Sequence, residues 1–223
     1  MKKGAKIALG IVGVLAVAGA AVTAWQWDNI QAARYGLTMD QSTLNQRMEK
    51  NRKTLDDAME QYAVPAYSFS QEEVDQLSDG SLSTEDAAKR LLDSGKEDGG
   101  TASAADSPDT EAQEEIREKI AEMYVLQAAY EGQLQAVVQS AIDEYSAGEH
   151  TAERRAQVVY DRMDELTELE AECDAKVDAV VRRLRELLKT TGQDDTLAKQ
   201  VESAYKEAKS LKKASYLEAF RNG

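Results

Sequence analysis

One cysteine, Cys173, and one histidine, His150, are all that this 223-residue chain holds of the residues that most often ligate metals or act as nucleophile and base. A lone thiol permits no intrachain disulfide and no four-cysteine zinc site. A lone histidine excludes the HExxH metalloprotease pattern and the paired Glu-x-x-His sites of di-iron helical bundles. The sequence contains neither a Walker A loop nor a GxGxxG stretch. Aromatics reach only 6%, and much of the 42% hydrophobic content is alanine. At roughly 25 cal/mol per Å² of buried apolar surface, such side chains support thin seams between helices better than a thick core. Proline is nearly missing as well: Pro65 and Pro108 are the two, and the last 115 residues have none. Ala, Glu, Lys, Gln, Arg and Leu dominate there, all strong helix formers.

Positive charge is in short supply, and the net charge is −14. Residues 68–115 hold 14 acids against Lys89, Arg90 and Lys96. An acidic body repels phosphate backbones, so nucleic acid is not an expected partner. The last 25 residues run the other way, with a net charge of +3. Their Lys206, Lys209, Lys212, Lys213 and Arg221 alternate with Tyr205, Tyr216 and Phe220. This tail fits either an anionic surface or lysines that complement a helix C-terminus while the aromatics pack inward.

Against these scarcities stands one long apolar run. Lys2, Lys3 and Lys6 precede 21 uncharged residues from Ile7 to Trp27. As a helix that run spans roughly 30 Å, the thickness of a bilayer's hydrocarbon core, and Trp25 and Trp27 stand where indoles favour the interface. The basic N-terminus places the rest of the chain outside the cytoplasm. A cleaved signal peptide is the alternative, with small residues at Ala18/Ala20 and Val22/Ala24 for processing. Ala16, Ala20 and Ala24 form a small-xxx-small stripe, which two such helices could use to pack together or which simply reflects an export signal.

Beyond the run, Thr38-Met-Asp-Gln41 reads as a capping box, and Leu44, Met48, Asn51, Leu55, Ala58 and Tyr62 follow at heptad spacing up to Pro65. Asn51 on that seam either fixes register in a buried interface or is solvated. Ser70-Gln-Glu-Glu73 caps a short helix carrying Val74 and Leu77, and Asp79-Gly80 breaks it. Ser83-Thr-Glu-Asp86 caps a second, with Ala87, Leu91 and Leu92, closed by Gly95. In its leucine and acidic positions alone, this pair resembles helical-hairpin interaction modules of the SHOCT type; no function is carried over from that resemblance. Lys96–Gln113, with almost no large apolar residue, reads as a disordered linker.

The C-terminal half carries the longest stripes. Ile116, Ile120, Met123, Tyr130, Leu134 and Val137 share one face up to Gly148. Val159, Met163, Leu166, Cys173, Val177, Val180, Leu184 and Leu187 share another, with Glu170 breaking the register. Thr190-Thr-Gly192 ends that helix, and Asp194 caps a third carrying Leu197, Val201, Ala204, Ala208 and Leu211. Gly132 lies inside the first of these helices and marks a close helix contact or a bend.

Searched for chemistry, the chain offers little. Cys173 sits on an apolar seam and His150 in a turn about 30 Å away along the helix. Glu168, Glu170, Glu172 and Asp174 cluster on one helix and read as a solvated face, since no pocket is expected to raise one of their pKa values.

These readings predict an all-α protein: a transmembrane anchor or signal peptide at 1–27, an amphipathic coiled-coil-like helix at 28–64, a short helical pair at 65–95, the linker at 96–113, and a long antiparallel hairpin with a third helix at 114–223. Segment 28–95 alone is expected to be marginal unless it docks on the hairpin or dimerises. The expected function is a single-pass, extracytoplasmic scaffold or adaptor at the cell membrane, not an enzyme, with no catalytic residue, metal or cofactor. Its partners would be another envelope protein or a second copy, and the membrane itself through 7–27. A regulatory or sensor subunit of a membrane complex, or a secreted helical protein, is the alternative.

Overall fold

The computed structural model describes residues 25–95 and 108–222. The apolar run up to Ala24, with its alanine stripe, lies outside them, as does most of the expected linker. Every regular element among the described residues is a helix, so the chain is all-α. No helix among them is long and apolar enough to cross a membrane.

The described residues form eight helices in order: α1 Trp25–Thr38, α2 Gln41–Gln61, α3 Gln71–Asp79, α4 Thr84–Ser94, α5 Pro108–Ser146, α6 Ala152–Asp161, α7 Met163–Thr190 and α8 Thr196–Asn222. Their ends are set by local side-chain chemistry. Ser70 and Glu73 form a reciprocal capping box at α3, and Ser83 accepts from the Asp86 N–H at α4. Thr151 caps α6 through the Arg154 N–H, and Asp194 Oδ1 accepts from the Thr196 N–H at α8. Each satisfies a backbone donor that the first helical turn leaves open. Gly192 closes α7 at φ 71°, where the Gln193 N–H reaches the Leu188 carbonyl. Ala63 closes α2 in the same way at φ 53°, with the Val64 N–H on the Met59 carbonyl, although it carries a Cβ.

Several boundaries differ from the sequence reading. Thr38 does not open a helix; it ends α1, its hydroxyl donating to the Arg34 carbonyl, and Asp40 caps α2 by accepting from the Thr43 N–H. An ionised Asp oxygen outcompetes a Thr hydroxyl as an N-cap acceptor. Pro108–Gln113 is helical rather than linker. Pro108 takes the first position of α5, where its fixed φ suits a helix and its missing N–H costs nothing. The long helix after Thr151 is interrupted at Arg162, whose N–H turns back to the Val159 carbonyl. In α6 it is Val158, not Val159, that is fully buried.

α5 and α7 form an antiparallel hairpin. Its register is fixed by Arg183 on Glu115 at 2.6 and 2.7 Å and by the Cys173 thiol against the Leu126 carbonyl, and Arg154 of α6 continues it on Glu144 at 2.8 Å. Residues of the stripes named above line the seam, joined by Leu126, Val181 and Leu188 beside them: Ile116, Ile120, Met123, Leu126 and Tyr130 face Val177, Val181, Leu184 and Leu188, all essentially inaccessible. α8 returns antiparallel to α7 and also runs antiparallel along α1 and α2. Gln41 Nε2 donates to Ser215 Oγ at 2.9 Å, Asn51 Nδ2 to the Ala204 carbonyl at 2.7 Å, and Tyr62 to Gln193 at 2.9 Å. Asn51 therefore sits in an intrachain seam and pairs with backbone. Gly36 is required here: a Cβ would stand 3.0 Å from both the Ala214 carbonyl and the Leu217 Cβ, so α1 and α8 approach nearly backbone to backbone. The third long helix thus does more than cover the hairpin; it joins the hairpin to the N-terminal helices.

α3 and α4 lie across α5, adding Leu77, Leu82, Ala87, Ala88 and Leu91 to the same core. Gly132 marks a close contact. A Cβ at Gly132 would come within 2.1 Å of Val74 Cγ1, far inside van der Waals contact. Residues 28–95 accordingly dock on the C-terminal half along two separate faces.

Candidate functional site

Outside the apolar seams, the most distinctive chemistry is a polar layer between α7 and α8, closed on one side by α5. Glu170 and Asp174, one turn apart on α7, meet Lys213, Lys209 and Tyr205, which lie one turn apart on α8. Lys209 Nζ donates to both Asp174 oxygens at 2.7 Å, and the Tyr205 hydroxyl donates to Asp174 Oδ1 at 3.0 Å. Lys213 pairs with Glu170. The side chains of Lys209, Lys213 and Glu170 are 2, 12 and 6% exposed and that of Asp174 33%, so the layer is interior with Asp174 at its rim.

The i, i+4 spacing on each helix makes the layer possible, because it stacks two acids opposite two lysines along antiparallel axes. Burial pushes the Lys213 ammonium below its usual range, while the Glu170 charge acts in the opposite direction. Burial likewise drives the Tyr130 and Tyr205 phenols well above their ordinary value, reinforced by the surrounding carboxylates. The Tyr130 hydroxyl and Glu170 Oε2 point into the layer without a hydrogen-bond partner. Cys173, on the same turn, has its thiol pushed up to about 11 by burial. A thiol this hard to ionise is a poor nucleophile at neutral pH.

The sequence reading of Glu168–Asp174 as one solvated face therefore holds only in part. Glu168 and Glu172 are exposed, but Glu170 and Asp174 point inward and meet cations from a segment about forty residues on. The basic tail changes meaning with them. Lys206 pairs with Glu202, Lys209 with Asp174, Lys212 with Glu131 and Lys213 with Glu170. Lys209 and Lys213 are spent inside the fold, whereas Lys206 and Lys212 pair with acids nearer the surface.

His150 lies exposed in the α5–α6 turn, its ring edge-on to Tyr145 with centroids 5.2 Å apart. Cys173 stands opposite Leu126, more than twenty residues up α5 from that turn, or roughly 35 Å at 1.5 Å per residue. The two cannot act together. Among the described residues no group of three or more His, Cys, Asp and Glu is arranged to hold a metal ion.

Shallow grooves also open among the described residues. One of about 300 Å³ runs between α2 and α8, past Asn51, Thr54, Lys199, Gln200 and Ser203. The other, about 240 Å³, lies between α4, α5 and α7 beside Glu122. Burial raises the Glu122 pKa, opposed by its pairing with Lys119. Both grooves are open to solvent, and in the second Lys119 is already paired with Glu122. Compared with protein families, curated proteins and solved structures, the chain matches none.

Proposed function

We propose that this chain is a membrane-anchored, extracytoplasmic helical strut: a non-catalytic scaffold or adaptor that holds an interaction surface at a fixed distance from the bilayer. The observation that carries the reading is the junction at Trp25. The apolar run of Ile7–Trp27 passes directly into α1, and α1 is clamped along α8 at Gly36. In sequence, the apolar run therefore leads into a helix packed along α8.

The rest of the chemistry suits a strut. From Trp25 to Tyr62 the α1–α2 rod rises about 55 Å at 1.5 Å per residue, and α8 runs beside most of it. Interhelical ion pairs and a buried polar layer fix the registers of the helices against sliding. The partner is another envelope protein or a second copy of the chain.

The test is in-membrane photocrosslinking from exposed positions of the body, followed by identification of the captured protein. A discrete adduct with one envelope protein or with a second copy supports the scaffold reading. Adducts with lipid or solvent alone, from every position, count against it.

A further inference from the structure

The same junction orients the whole body, and we infer that the α5–α6 turn is a membrane-facing pole whose Ile142 and Tyr160 contact the lipid headgroup layer. This inference rests on the anchored reading above. Ile142 and Tyr160 are 49 and 63% exposed, two of the three large apolar side chains left open to solvent among the described residues. They stand on facing helices near one end of the hairpin. The occupant is the lipid surface: residues 1–24, mostly apolar and outside the described residues, end where α1 begins, and on the anchored reading they hold that surface at this end of the body.

The level of that end follows from three registers. On the hairpin, Glu144 lies opposite Arg154 and Leu126 opposite Cys173. Between α7 and α8, Glu170 lies opposite Lys213 and Asp174 opposite Lys209. Between α8 and the N-terminal helices, Ala214 and Leu217 lie opposite Gly36, and Ala204 opposite Asn51. Carried through at 1.5 Å per residue, these place the last turn of α8 within about two turns of the start of α1, and the Ser146–Thr151 turn level with Trp25. On the anchored reading Trp25 and Trp27 mark the bilayer surface, and the α5–α6 turn stands within about two turns of that height. The opposite pole, at Tyr62 and Thr190–Thr196, is held about 55 Å away.

The electrostatics select the mode of contact. At this pole Glu144 is neutralised by Arg154 and Arg162, while Asp143, Glu149 and Glu153 remain acidic and Arg155 stacks on Tyr145. Such a surface is not drawn to anionic lipid; it rests on headgroups through its apolar side chains, held down by the anchor.

The full chain, in a Cys173→Ala background, is reconstituted into phosphatidylcholine nanodiscs. A fluorophore is placed at Ile142→Cys, Tyr160→Cys or, at the far pole, Lys189→Cys. Lipids bearing a headgroup nitroxide quench labels at the membrane surface. The expected result is quenching at 142 and 160 several-fold stronger than at 189, with unchanged helix content by circular dichroism. Equal quenching at all three positions, in protein that resists alkaline extraction, overturns the orientation while leaving the anchor standing. Protein extracted by alkali overturns both. Labels at 142 and 160 that are shielded only when two copies associate, without lipid quenching, overturn it in favour of a dimer contact.

Discussion

Replacing Gly132 with alanine separates the packing account from a propensity account by its sign. In an exposed helix interior, Gly→Ala stabilises by about 1 kcal/mol through helix propensity. In α5 the added Cβ meets Val74 Cγ1 at 2.1 Å. Val74 is held on α3 by the capped, packed α3–α4 pair, so relief needs an unfavourable Val rotamer or a shift of α3, a cost of about 1–3 kcal/mol. Gly132→Ala alone should therefore be neutral to destabilising by about 2 kcal/mol. Val74→Ala removes the clashing methyl, and the remaining Val74 Cβ would stand 3.6 Å away, in ordinary contact. In that background the same Gly132→Ala change should stabilise by about 1 kcal/mol. The sign reverses, and the double-mutant cycle should show a coupling of about 1–3 kcal/mol. Urea unfolding of the full chain in mild detergent, followed by circular dichroism, gives each value. Stabilisation by Gly132→Ala with Val74 intact would refute the close docking of α3 on α5.

Three further outcomes follow from the same structure. Ala63→Gly should raise stability by about 0.5–1 kcal/mol, because Ala63 occupies the left-handed position that Gly192 fills at the end of α7; an unchanged thermal midpoint would mean no strain is held there. Lys213→Ala should cost about 3–5 kcal/mol by leaving the Glu170 carboxylate buried without its cation, whereas Glu170→Leu with Lys213→Met together should cost far less; equal losses in urea would mean the pair is not buried. Acid titration should leave helix content intact above pH 4.5, the ordinary value for Glu, and erode stability below it. Asp40, Glu73, Asp194 and Glu115 are held below their usual ranges by the Thr43 N–H, the Tyr67 hydroxyl, Thr196 and Arg183 in turn. Groups depressed in the folded state give stability that is complete above their unfolded values and lost as pH falls through the folded ones. Loss of stability already between pH 7 and 5 would contradict that assignment.

What could be read from the sequence was what local chemistry decides. The caps at Ser70, Ser83 and Asp194, the turns at Gly80 and Gly192, and the buried faces of Ile116–Val137 and Cys173–Leu187 each depend on residues within one or two turns. Heptad stripes say that a face is buried but not what covers it. The packing of α8 along α1 and α2 was for that reason not visible, nor was the docking of α3 at Gly132, although a lone glycine in a long helix was a usable signal. The inward turn of Glu170 and Asp174 was hidden because a carboxylate in a helix is ordinarily solvated. Their partners Lys209 and Lys213 stood in a tail whose four-residue spacing matches theirs, and that matched i, i+4 pattern of opposite sign was the overlooked sign of pairing. At Thr38-Met-Asp-Gln41 two good caps stand two residues apart, and their spacing does not decide between them.

We propose that the helical body stands outside the cytoplasm on an anchor that is retained. The most direct test of this claim is labelling of Lys189→Cys, in the Cys173→Ala background, with a membrane-impermeant maleimide applied to intact cells, scored by intact mass in the alkali-resistant membrane fraction. The claim predicts a labelled species in the membrane pellet with its mass complete from Met1. Label appearing only after permeabilisation, or on a soluble species shortened at Ala20 or Ala24, would contradict it.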